Sequence, residues 1–227
     1  MKTKEKARKL AKQMIEIGKL ANRETVCVLT NMDEPLGYAV GNSLEVIEAI
    51  EFLNGNIIED VKEVVLELGA NMLKLAGIGE DIEQNKEILM KNIKNGKAFE
   101  KFKELVQMQG GDITYLEDVE KFQKAKYIEY VYSEEKGYIR KIDAKEIGKI
   151  VCELGAGRIE KEDEIDYSVG LILRKKVSDK VAKGEEIAYI YANDTEKLGI
   201  AKQKLLKNIK ISEEKVEKPK IVLGKEQ

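Results

Sequence analysis

A single strand-like run inside a helical first half is the feature that most constrains the fold of this chain. Residues 24–30 (ETVCVLT) are apolar and β-branched, which is typical of a buried strand. Helical periodicity surrounds this run, at residues 4–20, 43–53, 58–76, 80–94 and 97–109. Because a buried backbone N–H or C=O group without a partner costs about 1–3 kcal/mol, the run requires neighbouring strands.

The second half of the chain carries strands of its own. From about residue 125, strand-like segments alternate with helical ones: KYIEYVYS, GYIRKI, AKEIGKIVCELG, SVGLILRKKV, GEEIAYIYA, TEKLGIAKQKLLKNI and IKISEE. The charged tail contains IVL, a candidate edge strand. We expect the strands of the second half to pair with one another, which predicts that the partners of ETVCVLT lie outside these residues.

The pattern therefore predicts two different domains. Residues 1–120 are expected to be an incomplete α/β portion, a mostly helical part of a mixed-sheet domain. Residues 121–227 are expected to form an α+β C-terminal domain with its own sheet.

The residue types limit the chemistry that the chain can perform. It contains no histidine, which excludes Ser-His and Cys-His catalysis and His-based metal sites within it. Cys27 and Cys152 stand among apolar neighbours and are predicted to be free thiols in a reducing compartment. With 40 basic and 42 acidic residues, the chain predicts no nucleic-acid partner and no membrane partner. No apolar run approaches the ~20 residues of a membrane span, so we expect a cytoplasmic location.

The segment TNMDEPLGYAVGN, residues 30–42, joins the first strand to the next helix and has three interpretations. Free N–H groups at a helix N-terminus bind anions, but Asp33 and Glu34 would repel phosphate, and no Lys or Arg offsets them. Carbonyl oxygens with carboxylates suit a hard cation instead. The third interpretation is a capping box, with Asn42 as N-cap and Glu45 bonded to its backbone.

Glu48, one turn further along the predicted helix, also has two possible roles. Its side chain can lean back toward the turn. It can equally belong to a solvated stripe with Glu45 and Glu51, opposite an apolar face. The residues alone leave these alternatives open.

Several long blocks resemble the pyrimidine nucleoside phosphorylase and thymidine phosphorylase family. They are MKTKEKARKLAKQMIEIGK, TVCVLTNMDEPLGYAVGNSLEVIEAIEFLNG, GKAFEKFKELVQMQGGD, GAGRIEKEDEIDYSVGLILRKKVSDKVAKGE and IYAN, and together they extend over essentially the whole chain. The resemblance implies a pentosyltransferase of nucleoside salvage, in which phosphate replaces the base of a pyrimidine nucleoside to give a pentose 1-phosphate. Phosphate and the nucleoside would be its substrates, and a cytoplasmic homodimer its assembly.

The resemblance assigns one site to this chain. The family holds K⁺ or Ca²⁺ beside its phosphate-binding loop, and the matching ligands are the main-chain carbonyls of Leu36 and Ala39 and the side chain of Glu48. No organic cofactor is implied. The family's phosphate-binding and base-binding motifs do not occur in this sequence, so no catalytic or substrate-binding residue is assigned.

Three hypotheses about function follow. The chain is the C-terminal portion of such an enzyme and inactive alone, or it is a separately encoded half that completes the enzyme with a partner chain. The third hypothesis is a non-catalytic interaction module that keeps the C-terminal fold.

Overall fold

The chain folds into two compact units whose residues interleave along the sequence. The computed structural model describes residue 1 and residues 3–227. Unit 1 contains residues 1–31, 54–99 and 220–227, and unit 2 contains residues 32–53 and 100–219. The predicted domain boundary at residue 120 is not the boundary between these units, and it stays a prediction. The units show in addition that the segment 32–53 folds with the second half of the chain.

Unit 1 is built mainly from helices, two of which begin at a polar side-chain cap. Its helices are α1 (Lys4–Leu20), α3 (Glu59–Leu75) and α4 (Ile82–Lys94). At the first turns, Thr3 Oγ1 accepts the Lys6 N–H at 3.3 Å, and Asp81 Oδ1 accepts the Gln84 N–H at 2.8 Å. These side chains satisfy N–H groups that have no partner within their own helix, and they stabilise the first turns of α1 and α4.

The predicted strand ETVCVLT does have a partner in this chain. Strand β1 (Cys27–Thr30) pairs antiparallel with β9 (Val222–Glu226), with Leu29 opposite Gly224. The expectation that its partners lie wholly outside these residues is therefore wrong for one edge of the strand. The candidate edge strand IVL lies where β9 begins, and the residues that follow it, Gly224, Lys225 and Glu226, supply most of the pairing. Along the other edge of β1, no strand pairs within the residues that the structure describes.

Unit 2 combines helices with two antiparallel sheets. One sheet has the order β2–β5–β7–β3 and the other the order β6–β4–β8. The strands are β2 (Ala39–Val40), β3 (Tyr127–Tyr132), β4 (Gly137–Ile142), β5 (Gly170–Leu173), β6 (Lys180–Val181), β7 (Glu186–Ala192) and β8 (Ile209–Ser212). The main helices are α2 (Asn42–Leu53), α7 (Ala144–Val151) and α8 (Thr195–Asn208).

Two further helices lie between α4 and β3 in the sequence. Helix α5 (Lys97–Met108) is followed by the short helix α6 (Thr114–Glu117). A mostly helical first portion and a second portion of antiparallel strands and helices confirm the predicted fold class, an α/β portion followed by an α+β domain. None of the helices in the described ranges combines the length and apolar character required to cross a membrane.

The core of unit 2 fixes the sheet that carries β2. Its fully buried side chains come from both sheets and from α7 and α8, and include Val131, Ile139, Ile147, Leu171, Ile190 and Leu205. Burying one such aliphatic side chain contributes roughly 1.5–3 kcal/mol. This packing makes β5 a rigid partner for the two residues of β2.

The β1–β9 pairing can be tested by removing residues 220–227. Without β9, the paired edge of β1 loses its backbone partners, so we expect the amides of Leu29 and Asn31, which face β9, to exchange about tenfold faster or more, a loss of about 1.4 kcal/mol in local opening free energy. Hydrogen–deuterium exchange read by NMR measures this. In a matched control, Lys225→Ala removes only the side-chain contact of Lys225 with Asn71. Equal protection in the truncated chain and the control would contradict the pairing.

Candidate functional site

The turn between β1 and α2 lies where two backbones approach closely. Gly41 has φ +142°, and a Cβ atom at this position would come within 2.7 Å of the Val169 carbonyl oxygen. Gly170, on the neighbouring strand β5, has φ +158°, and a Cβ there would come within 2.4 Å of the Val40 carbonyl oxygen. Only glycine fits at both positions, and this close approach brings β2 against β5.

Strand β2 joins the sheet through very few backbone groups. Ala39 lies opposite Ile172 and Val40 opposite Leu171. The Leu173 N–H extends the pairing by donating to the Tyr38 carbonyl oxygen at 2.8 Å. The end of the turn is therefore held by the sheet of unit 2.

Glu48 leans back toward the turn and is not part of a purely solvated stripe. Its Oε2 accepts the Tyr38 N–H at 2.8 Å and the Ala39 N–H at 3.0 Å. Hydrogen bonds to an ionised carboxylate are stronger than those between neutral groups. The carboxylate of Glu48 is consequently held against the main chain at Tyr38 and Ala39, the second of which is a residue whose carbonyl oxygen is a predicted cation ligand.

The predicted capping box is shifted by one residue. Helix α2 begins at Asn42, so Asn42 is not the N-cap, and its Nδ2 donates to the Ala156 carbonyl oxygen at 2.8 Å. Glu45 does bond to the backbone as expected, but Oε1 accepts the Gly41 N–H at 2.9 Å. The conformation of Gly41 allows it to occupy the position that the sequence pattern gave to Asn42.

A lysine from the far half of unit 2 inserts its ammonium group into the turn. Lys176 is 8% exposed, and its Nζ donates to the carbonyl oxygens of Pro35 and Gly37, the latter at 2.7 Å. Its Nζ also lies 5.6 Å from the centroid of the Tyr38 ring, a distance at which a cation is attracted to an aromatic face. The turn thus binds positive charge through its carbonyl oxygens, and the cation comes from the chain itself.

Glu34 is a second buried charged residue of the turn. It is 9% exposed, and its Oε2 accepts the Val177 N–H at 3.0 Å. Nearby, the Asp33 carbonyl oxygen accepts the Ala144 N–H at 3.1 Å. The side chain of Glu34 and the main chain of Asp33 therefore attach the turn to the segments after β5 and β4, respectively.

A neighbouring carboxylate, Asp166, supports the loop that precedes β5. Its Oδ1 accepts the Ser168 N–H at 3.0 Å, and its Oδ2 accepts from Asn193 Nδ2 at 2.6 Å. Burial pushes the pKa of Asp166 upward, but the hydrogen bonds from Ser168 and Asn193 outweigh it and hold the pKa below its ordinary value. A lowered folded-state pKa means that this carboxyl stabilises the fold at neutral pH. That contribution is lost as the pH falls through the folded-state pKa.

The three predicted cation ligands differ in their exposure. Leu36 is 40% exposed, Ala39 is buried, and Glu48 is half-buried. Two carbonyl oxygens and a carboxylate are donors that a hard cation prefers, but they are three of the roughly six to eight oxygens that Ca²⁺ takes. No group of three or more His, Cys, Asp or Glu side chains in the described residues is arranged to hold a metal ion. The residues fit such a cation in chemical type, and these three would supply only part of its shell.

Sequence reasoning did not find Lys176 or the structural role of Glu34. Lys176 lies 139 residues from Gly37 in sequence, and no local pattern joins the two. A usable signal existed in the run GLILRKKV, where basic residues directly follow a buried strand. A turn rich in carbonyl oxygens and carboxylates with no cation of its own pointed to a cation from another segment.

Known proteins of similar sequence are phosphorylases. Residues 138–212 match the family model of the pyrimidine nucleoside phosphorylase C-terminal domain. Pyrimidine-nucleoside phosphorylase of Geobacillus stearothermophilus is 43% identical over 225 residues, which are 99% of this chain and 52% of that protein. The Bacillus subtilis (strain 168) protein of the same name is 45% identical over 222 residues, 98% of this chain and 51% of that protein.

A third relative, from Staphylococcus aureus (strain USA300), carries the same name and is 42% identical over 194 residues. The chain spans about half the length of the curated relatives it matches. The resemblance to pyrimidine nucleoside phosphorylases is thus confirmed, and residues 138–212 correspond to their C-terminal domain.

The role of Lys176 predicts a large effect of its removal. Lys176→Met leaves the carbonyl oxygens of Pro35 and Gly37 without their charged donor, so we expect the free energy of unfolding to fall by about 2–4 kcal/mol. Urea unfolding followed by circular dichroism measures the change. Lys175→Met is the matched control, since Lys175 forms an ion pair at 2.5 Å with Glu185, which is 40% exposed, and such pairs contribute about 0–1 kcal/mol. Equal losses in both variants would disprove the inserted-ammonium role.

Proposed function

We propose that this chain supplies part of a pyrimidine nucleoside phosphorylase, a pentosyltransferase of nucleoside salvage. The observation that carries the proposal is the identity of 43% over 99% of the chain with a protein of that name. The reaction would convert a pyrimidine nucleoside and phosphate into the free base and a pentose 1-phosphate. Cleavage of the glycosidic bond passes through an oxocarbenium-like transition state, which phosphate would capture.

The chain would contribute to this reaction by structure and not by reacting groups. Its described residues include no histidine, and none of the family's phosphate- or base-binding motifs was found in the sequence. We therefore propose that the chain is inactive alone and that phosphate and nucleoside bind to residues supplied by the rest of the enzyme. A cytoplasmic location and a homodimeric assembly belong to the same proposal.

The turn is the part of the chain proposed to approach the reaction. The carbonyl oxygens of Leu36 and Ala39 and the carboxylate of Glu48 would hold K⁺ or Ca²⁺, completed by ligands from outside the chain. When bound, the cation supplies positive charge that favours phosphate nearby. The two N–H groups of Tyr38 and Ala39 that donate to Glu48 orient this carboxylate toward the turn.

A second candidate function is that of an interaction protein that completes a partner chain. The observation that favours it is the open edge of β1, along which no strand pairs in the described residues. An exposed edge of this kind is a template for a strand from another polypeptide. The partner would be a separately supplied N-terminal half of the enzyme or a protein that binds the C-terminal fold without catalysis.

A phosphorolysis assay distinguishes these functions. We expect the purified chain to release no free base from uridine or thymidine with phosphate. We expect turnover when it is mixed with the region of the Bacillus subtilis relative that precedes the match. Release of uracil or thymine is measured by chromatography, with each protein alone as the control. Turnover by the chain alone would refute the assignment of the chemistry to other residues, and a stable but inactive mixture would favour the interaction protein.

The proposed cation ligand can be tested in the completed enzyme. Glu48→Gln keeps an acceptor for the N–H groups of Tyr38 and Ala39 but removes the negative charge, so we expect half-activation to require about tenfold more K⁺, a change of about 1.4 kcal/mol. The matched control is Glu45→Gln, on the same helix and also bonded to a backbone N–H. An unchanged K⁺ requirement in Glu48→Gln would reject the ligand assignment.

A further inference from the structure

The segment after β5 that carries Lys176 is held firmly by its own hydrogen bonds. The Lys176 N–H donates to Asp179 Oδ2 at 2.8 Å, and the Asp179 N–H donates to the Lys176 carbonyl oxygen at 3.0 Å. Ile139 of β4 donates its N–H to the Asp179 carbonyl oxygen at 2.9 Å and accepts the Ser178 N–H at 2.8 Å. Because Ile139 is fully buried, the lysine side chain extends from a backbone that is fixed to the core of unit 2.

The turn between β1 and α2 contains the ammonium group of this lysine. Lys176 Nζ donates to the carbonyl oxygens of Pro35 and Gly37. The next residue, Val177, donates its N–H to Glu34 Oε2 at 3.0 Å. Since Lys176 is only 8% exposed, salt screens its charge much less than it screens a charge on the surface. A fixed positive charge therefore acts on any other ion that binds to this turn.

The proposed cation ligands are interleaved with the groups that Lys176 binds. Leu36 stands between Pro35 and Gly37 in the chain, so one peptide unit separates its carbonyl oxygen from each of the two that accept from the ammonium. Ala39 follows two residues after Gly37. A cation bound at these oxygens would be a close neighbour of the ammonium, and the two positive charges would repel one another.

We propose that Lys176 determines which cation the turn accepts, favouring a monovalent ion such as K⁺ over a divalent ion such as Ca²⁺. The inference rests on the cation site of the proposed function and adds a residue that decides its specificity. Lys176 is not a ligand of the ion. It acts through its charge and through the two carbonyl oxygens to which it donates.

The first effect of Lys176 is electrostatic. Repulsion by a fixed charge is proportional to the charge of the bound ion, so the ammonium disfavours Ca²⁺ about twice as strongly as K⁺. Among the three proposed ligands, only the side chain of Glu48 is negatively charged. Its single charge is balanced by one monovalent ion, whereas a divalent ion would leave an excess positive charge beside the lysine.

The second effect concerns the number of oxygen ligands. Ca²⁺ takes about six to eight oxygens, and the carbonyl oxygens of Pro35 and Gly37 are the nearest additional ones in sequence. The ammonium competes with a metal ion for both of them. Ligands supplied from outside the chain are the same with or without this ammonium, so they do not alter the direction of either effect.

Cation titrations of the full chain test the proposal, read by NMR at the amides of Tyr38 and Ala39, which donate to Glu48. KCl and CaCl₂ are varied from about 1 mM to about 0.5 M, a range that includes weak Ca²⁺ sites, with tetramethylammonium chloride holding the ionic strength constant. Lys176→Gln keeps N–H donors for the two carbonyl oxygens but removes the charge. We expect its dissociation constant for Ca²⁺ to fall about tenfold or more, and that for K⁺ to change less than about threefold.

Two further variants separate the charge effect from a structural one. Lys175→Gln removes the neighbouring charge, which pairs with Glu185, and should leave both dissociation constants within about twofold of the original. Glu34→Gln keeps an acceptor for the Val177 N–H but removes a buried negative charge, so it should weaken Ca²⁺ binding about threefold relative to K⁺. This opposite shift tests the charge argument even where Lys176→Gln loses the dispersed amide spectrum of a folded chain.

The outcomes distinguish the inference from the proposed function. Equal changes for K⁺ and Ca²⁺ in Lys176→Gln, or an unchanged preference in Glu34→Gln, would overturn the role of Lys176 and leave the cation site in place. Amides of Tyr38 and Ala39 that respond to neither ion, in the original chain and in Lys176→Gln, would reject the cation site and the inference together. The phosphorolysis assay of the mixed chains measures the proposed function separately.

Discussion

Backbone N–H and C=O groups that have no local partner are satisfied in this chain by segments far away in the sequence. Strand β1 lies near the start of the chain and pairs with β9 near its end. Strand β2 follows soon after β1 but pairs with β5 in the second half. Because unpaired buried backbone groups are costly, these two pairings decide which residues share a unit. They place residues 32–53 with the second half of the chain and residues 220–227 with the first.

The same requirement explains the inserted lysine. In residues 35–37 the carbonyl oxygens of Pro35 and Gly37 accept hydrogen bonds from the Lys176 ammonium, which has three N–H donors. A buried ammonium is itself tolerated only when it is hydrogen-bonded. The carbonyl oxygens and the lysine therefore stabilise one another, and the carboxylates of Glu34 and Glu48 add negative charge to the same turn. Such surroundings suit positive charge, which is the physical basis for proposing a further cation at Leu36, Ala39 and Glu48.

Local patterns predicted the elements of this fold well, and their long-range partners poorly. Helix α4 was predicted because its apolar period is a local feature, and so were the strands around Val131 and Ile190. The partner of β1 was missed because IVLGKE is short and follows a charged tail, so nothing in it specifies a distant strand. The contact of Lys176 with Gly37 was missed because the two residues are 139 positions apart and no local pattern joins them. The three cation ligands came from resemblance, since their oxygens belong to a turn whose shape the sequence does not specify.

The two open strand edges differ in what an occupant must provide. Strand β1 has four residues, of which Leu29 is buried and the others are half-buried. A strand added there gains backbone hydrogen bonds but little apolar contact with β1, so its occupant has to bring packed structure of its own, as a separate half of an enzyme would. Strand β3 instead offers three large exposed side chains and flanking charges of opposite sign. A strand added at that edge would therefore gain apolar contact with β3 as well as backbone hydrogen bonds.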